Sequence, residues 1–344
     1  MPNSRITSSR TMGRRVPFAL QINRYLIGVV GCLAVAGWVS EGHAQVAAEG
    51  YAVERLNPAS PGSPWLVMDD LKLEGPLGGG VSLITSYARR PLRVSNPDGS
   101  QTLSILSNQA FVDVGLAILY DRFRFVLDVP DPLYISGHSG TVGNVQYTAP
   151  TLDPGKYPDK VSDFRFGVDA RLWGDVNGPL RFGISGQLFV PSGERDTYVT
   201  DGTYRGLLRA LWAGNWGIVD HAGFVGVHLR PRDDSGTLGS TALGGPRGSE
   251  LVFGLGLAPQ FAVSTSTRAG LGPELFGETA FKDAFGKYTT ALETLLSANL
   301  THVDEHGALV RFKVGGGPGI NAQFGAPTWR MILGLEISDR VRKQ

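Results

Sequence analysis

The sequence predicts an all-β protein, a closed antiparallel transmembrane β-barrel of about fourteen strands, with twelve as the alternative count. Three observations carry this. A two-residue alternation of apolar and polar side chains recurs from residue 111 to residue 337. The connections between alternating stretches are short and long in turn. The chain opens with an export signal rather than a membrane-spanning helix.

The signal comes first in order. Arg5, Arg10, Arg14, Arg15 and Arg24 precede an apolar run over residues 25–39, and Gly42-His43-Ala44 places small residues at −3 and −1 of a cleavage point before Gln45. A basic region, an apolar core and a small-residue site are the parts of a secretory signal. Val29-Val30-Gly31-Cys32 also looks like a lipobox, so lipid attachment at Cys32 is the alternative to cleavage after Ala44. Residues 1–44 are thus expected to be removed, leaving a barrel over 45–344. Cys32 is the only cysteine, so the mature chain has no disulfide framework and no thiolate metal site. The signal takes away five basic residues and one acidic residue. What remains is slightly acidic, which argues against a nucleic-acid partner.

The strands follow. In a strand, successive side chains point to opposite faces. Over residues 164–172, Phe164, Phe166, Val168, Ala170 and Leu172 share one face, and Arg165, Gly167, Asp169 and Arg171 share the other. The same alternation runs through 111–120, 123–129, 180–190, 250–257, 292–300, 310–314 and 329–337. A helix needs apolar residues at i, i+3, i+4 and i+7, and the alternate Arg and Asp residues break that pattern. Extended stretches at 65–74 and 51–56 bring the count to fourteen. Twelve results if this first hairpin is a plug or an extension.

Short connections fall near residues 74–78, 120–122, 174–179, 216–217, 259–264 and 304–307. Longer ones fall near 95–108, 131–162, 191–204, 231–248, 276–288 and 317–327. Outer-membrane barrels have short periplasmic turns and long extracellular loops. Aromatic residues near the strand ends, Trp65, Tyr87, Tyr120, Phe123, Phe164, Trp173, Trp212, Trp216 and Trp329, are candidates for interfacial girdles. A soluble β-sandwich alternates too, but its strands usually run about 5–6 residues. Several here keep alternation for the roughly 9–11 residues that a tilted membrane strand needs.

The alternation assigns faces. Phe164, Phe166, Val168, Phe182, Ile184, Phe253, Leu255, Phe312, Leu333 and Leu335 are expected to meet lipid. Asp113, Arg124, Asp128, Arg165, Asp169, Arg171, Arg181, Arg209, Glu250, Arg268, Glu274, Glu293, Arg311, Lys313, Arg330 and Glu336 are expected to line the lumen. This inward set has a small basic excess. Two function classes follow. In the first, inward glycines keep a water-filled pore open for small solutes, with a mild preference for anions. In the second, the inward charges pair into a salt-bridged lumen, and the barrel is a closed structural or adhesive element of the envelope.

Little points to catalysis. Ser185, Ser297, His221 and His228 exist, but there is no G-x-S-x-G elbow. His302 and His306 flank a turn and give no metal-binding helix motif. Gly78-Gly79-Gly80 and Gly315-Gly316-Gly317 lack the Lys-Ser/Thr of a phosphate loop. Asp233-Asp234 and the Asp153, Asp159, Asp163 set read better as solvated loop acids than as a calcium site. The sequence therefore predicts no enzyme, no cofactor and no metal. Its partners are membrane lipid, the barrel-assembly machinery and, for an open pore, small anionic solutes. It says nothing of oligomeric state.

Short motifs add a resemblance. Tyr87-Ala88-Arg89-Arg90-Pro91-Leu92, Gly272-Pro273-Glu274-Leu275-Phe276-Gly277 and Gly315-Gly316-Gly317-Pro318-Gly319-Ile320, with Glu54-Arg55-Leu56-Asn57-Pro58 and Ser63-Pro64-Trp65, resemble the N-terminal barrel region of OmpA-family outer-membrane proteins of myxobacteria and related bacteria. The resemblance spans most of residues 50–337 and implies an outer-membrane location. Those proteins usually continue into a peptidoglycan-binding domain, for which this sequence has no counterpart. Ile337 stands where the assembly signal of many barrels prefers a terminal aromatic.

Overall fold

A computed structural model describes residues 50–75, 77–95, 102–142, 145–150, 152, 160–230, 248–287, 289–321 and 325–339. The expected signal, its cleavage point and Cys32 lie outside them. So do Asp153, Asp159, Asp233 and Asp234.

The strands are β1 (Gly78–Ser95), β2 (Thr102–Tyr120), β3 (Phe123–Ser136), β4 (Gly140–Val142), β5 (Val145–Tyr147), β6 (Phe164–Trp173), β7 (Arg181–Val190), β8 (Arg205–Trp216), β9 (Val219–Leu229), β10 (Glu250–Ala262), β11 (Thr267–Ala280), β12 (Thr290–Val303), β13 (Ala308–Pro318) and β14 (Trp329–Asp339). β4 and β5 form a separate hairpin in the β3–β6 connection. The other twelve close into one antiparallel barrel, each paired with its neighbours in sequence and β14 with β1. The seam is well formed, from Gly80 opposite Ser338 to Arg89 opposite Trp329.

The count is twelve, not fourteen. The two expected first strands are extended, but they pair with no barrel strand. They lie inside the barrel, which is the case in which twelve was expected.

Alternation holds around the wall. Phe166, Val168, Phe182, Ile184, Leu255, Phe312, Leu333 and Leu335 are exposed, while Arg165, Arg181, Arg311 and Glu336 between them are buried. Phe164 and Phe253 are half-buried, the latter with its ring 6.2 Å from that of Phe285. A band of exposed apolar side chains around a closed, edge-free sheet is the architecture of an outer-membrane-type barrel. Tyr120, Phe123, Trp173 and Trp216 form an exposed aromatic set at the short-turn end. Tyr87 and Trp329 pack together, ring centroids 5.1 Å apart, towards the other end. Trp65 belongs to neither girdle. It is buried inside the barrel.

The connections alternate short and long as expected, but residues 102–108, 131–136 and 276–280, expected in long connections, extend β2, β3 and β11. Asp121-Arg122 is a two-residue turn, closed by Asp121 in the left-handed conformation (φ 51°), which Asp tolerates better than most residues. β1 and β2 run 18 and 19 residues, well past the roughly 9–11 that cross a bilayer. Beyond Arg89, β1 leaves β14 and pairs with β2 alone. This excess projects at the long-loop end.

Candidate functional site

Most of the buried charged side chains among the described residues point into the lumen, and the chain itself fills it. Residues 50–75 thread the barrel from one mouth to the other. At the long-loop mouth, Arg195 Nε donates to the Gly50 carbonyl at 2.8 Å, and the Val53 N–H donates to the Tyr198 carbonyl at 3.1 Å. At the short-turn mouth, Arg171 Nη2 donates to the Leu73 carbonyl at 3.0 Å, and the Asp121 N–H donates to the Gly75 carbonyl at 2.7 Å.

An extended segment without sheet partners leaves its backbone groups bare, and burial makes that costly. Wall side chains satisfy them. The Glu274 carboxylate accepts the N–H groups of Leu66, Val67 and Met68 at 2.9, 2.8 and 3.3 Å. Lys313 Nζ donates to the carbonyls of Ser63 and Trp65 at 3.0 and 3.1 Å. Arg181 donates twice to the Asp70 carbonyl, and Glu336 accepts from the Gly62 N–H at 2.8 Å.

Charges on the segment complete the wall. Asp69 lies 2.6 Å from Arg124 Nη2 and 3.1 Å from Arg209 Nη2. Arg55 reaches Glu250 at 2.9 Å and Glu278 at 3.1 Å. Glu54 reaches Arg330 at 2.9 Å. The wall residues also pair among themselves. Arg124 holds Asp169, Arg165 holds Asp113 and Asp128, Arg330 holds Glu293, and Arg311 and Lys313 share Glu336. Such pairs resist loss of one partner, because the other is left buried and charged.

Apolar packing completes the closure. Leu56, Trp65, Leu66, Val67, Met68, Leu71 and Leu73 join Leu207, Leu211, Phe224, Val252, Phe276 and Leu295 of the wall in one cluster. The inward glycines accommodate this segment and do not hold a channel open. A Cβ on Gly256 would sit 2.9 Å from the Trp65 ring, and one on Gly254 would sit 2.7 Å from Met68. One on Gly315 would collide with Leu66. Two internal cavities, about 20 and 40 Å³, flank residues 52–57. They are large enough for one to a few waters.

Of the expected lumen residues, Arg171 is half-buried at the short-turn mouth. Arg268 departs from expectation. It has the inward parity of Glu274 but lies exposed on the rim, because β11 starts below the filled lumen. The others are buried inside. The sequence reading missed the segment's own members, Glu54, Arg55 and Asp69, together with Asp201 and Glu278; it weighed the buried His228 only for catalysis, and Asp163, expected as a solvated loop acid, is buried against Arg205. Their signal was present. Pro58, Pro61 and Pro64 disqualify a central strand, and Asp69-Asp70 puts acid on both faces at once.

His228, Glu250 and Glu278 bring potential ligand atoms within 4.8 Å of one another. Arg55 and Arg230 already bind these carboxylates, so the charge a cation would supply is in place. Ser185 bonds Arg209, and Ser297 donates to the Gly272 carbonyl. Asp163 pairs with Arg205 at 2.8 Å. In the 191–204 loop, burial alone would raise the Asp201 carboxyl. Arg230 and Arg205 beside it, with the Ala52 N–H, outweigh that and hold it well below the ordinary carboxylate range.

No protein-family model matches the chain, and no curated protein does. Among solved structures, an outer-membrane channel from Pseudomonas putida F1 matches over 77% of this chain and 95% of its own, at 13% identity and TM-score 0.49. A FadL homologue from Pseudomonas aeruginosa matches over 86% and 98%, at 8% identity and TM-score 0.37. The β domain of the Bordetella autotransporter BrkA matches over 75% and 98%, at 12% identity and TM-score 0.37.

Proposed function

We propose that this chain is an integral protein of the bacterial outer membrane whose barrel is closed at rest by its own residues 51–73. The observation that carries this is the filled lumen. Glu274, Lys313, Arg124, Arg209, Glu250 and Arg330 all hold the segment, and the flanking cavities have room only for waters. The salt-bridged, structural reading of the barrel is thus favoured over a standing pore. Its partners are membrane lipid and the machinery that inserts barrels, and no enzymatic step is part of the proposal. The affiliation with OmpA-family barrels rests on the short motifs alone.

A second reading is a gated passage for small anionic solutes. The observation that favours it is that Asp69 and Glu54 neutralise Arg124, Arg209 and Arg330 from the segment. Its withdrawal would leave those arginines facing water, with the mild anion preference that follows.

Planar bilayers test both. The intact protein is expected to be silent. A chain lacking residues 51–73, or carrying Arg55→Ala with Asp69→Ala if the deletion does not assemble, is expected to give discrete steps that favour anions. Steady large steps from the intact protein would sink the closed-barrel reading. Silence of every variant that still shows the heat-modifiable folded band would sink the gated passage.

A further inference from the structure

The segment's direction has a topological meaning. β1 begins and β14 ends at the short-turn mouth, which in single-chain outer-membrane barrels faces the periplasm. Gly50 lies at the opposite mouth, among the long loops. The residues that hold it there belong to the outer parts of the protein. Arg195 binds the Gly50 carbonyl. The Ala52 N–H donates to Asp201 at 2.9 Å, and Arg230 Nη2 donates to the Ala52 carbonyl at 3.2 Å.

A second apolar cluster, separate from the one inside the barrel, grips the same residues. Tyr51 and Val53 pack with Leu92, Ile105, Leu106 and Ile135 from the projecting ends of β1, β2 and β3. Val142 and Tyr147 of the β4–β5 hairpin and Tyr198 and Val199 of the 191–204 loop complete it.

We propose that residues 51–73 enter their own barrel from the cell surface and cross the membrane inward before β1 turns back, with Gly50 at the outer mouth. Length allows it. Twenty-odd extended residues reach up to roughly 80 Å, against a hydrocarbon core of about 30 Å. A periplasmic start would need a second pass of backbone through the lumen. Strands lie about 4.8 Å apart at closest, and cavities of about 20 and 40 Å³ cannot take one. The inference rests on the outer-membrane orientation proposed above.

Single cysteines test it, since Cys32 is the only natural one. Ala48→Cys reports the side from which the segment enters, Tyr204→Cys a long loop, and Glu305→Cys a short turn, with the unsubstituted chain as blank. Intact cells are treated with a membrane-impermeant maleimide, and assembly is checked by the heat-modifiable band. The expected result is labelling of Ala48→Cys within about twofold of Tyr204→Cys, with Glu305→Cys labelled only after permeabilisation. If Ala48→Cys follows Glu305→Cys while Tyr204→Cys labels, the outer entry is overturned and the orientation stands. If Tyr204→Cys and Glu305→Cys exchange behaviour, the orientation itself is overturned and the outer entry with it. Should Ala48→Cys not assemble, an epitope inserted between Ala48 and Glu49 gives the same readout, with antibody binding to intact cells expected and binding only after lysis overturning it.

Discussion

Asp69 and Arg124 are 2.6 Å apart, and they belong to different parts of the barrel, the segment and the wall. Arg124 also holds Asp169, and Asp69 also holds Arg209. Asp69→Ala therefore leaves two buried guanidiniums under-compensated. It is expected to destabilise the closed state by about 3–5 kcal/mol, read as a lower temperature for loss of the heat-modifiable band. Asp69→Asn keeps the volume and should fall between the two. Equal stability of Asp69→Ala and the parent would mean that the segment is not anchored through this pair.

Glu274 fixes a turn of the segment through three backbone N–H groups. Glu274→Gln removes the charge and one acceptor oxygen but not the shape. Hydrogen bonds to a charged group are worth about 1.5–3 kcal/mol each net. Hydrogen exchange at Leu66–Met68 should accelerate, with the wall strands staying protected. Uniform acceleration around the barrel would show that Glu274 supports the wall and not the segment.

Strand register is tested by neighbours of opposite facing. Phe166→Arg puts a charge against lipid, which costs about 2–4 kcal/mol at midplane, and assembly should fail. The alternation alone makes Arg165→Phe the milder change. The ion pairs reverse that expectation. Arg165 is the partner of both Asp113 and Asp128, so its loss should cost about 3–5 kcal/mol. Folded-band yield from the two variants checks the comparison, and a normal yield of Arg165→Phe would sink it.

Space in the lumen is tested from the wall. Gly256→Val must displace the Trp65 ring. Overpacking of this kind costs about 1–3 kcal/mol, and in a Trp65→Ala background, itself destabilised, the added cost of Gly256→Val should largely vanish. An undiminished cost would mean that the strain lies in the wall.

Acid tests the outer clasp. The Asp201 carboxyl is held below its unfolded value by Arg230 and Arg205, so its contribution is complete above about pH 4. It is lost only as pH falls through the lower, folded value. Proteolytic protection of residues 51–53 should therefore be flat from pH 8 to about pH 5. Asp201→Asn should weaken it across that whole range. A loss of protection in the parent near pH 6 would point to a different group.

Much of the wall was legible because its signal is local. Phe166 and Arg165 differ by one position, and a strand turns that into opposite faces whatever the neighbours do. The loops were legible for the same reason, from turn chemistry at sites such as Asp121-Arg122. The contents of the lumen were not. Tyr51, Val53, Leu66 and Met68 have the composition of strand residues, and only partners far along the chain decide that they are enclosed on every side. Glu274 read as a channel charge because nothing nearby in sequence reveals the three amides that it accepts. The basic excess of the wall was visible, but its neutralisation by Asp69 and Glu54 depends on where 51–73 travels.

The contacts that hold the segment join Gly62 to Glu336 and Arg55 to Glu278, separations that span most of the chain. Native pairings of such long range slow folding, since chain entropy is lost before they form. Here they also favour an order. β1 follows residues 51–73 directly, so capturing the segment before β1 zips onto β14 avoids threading it through a finished mouth. The two edges of the seam thus act as a side door, and a chain that closes it early must fill its lumen from one end.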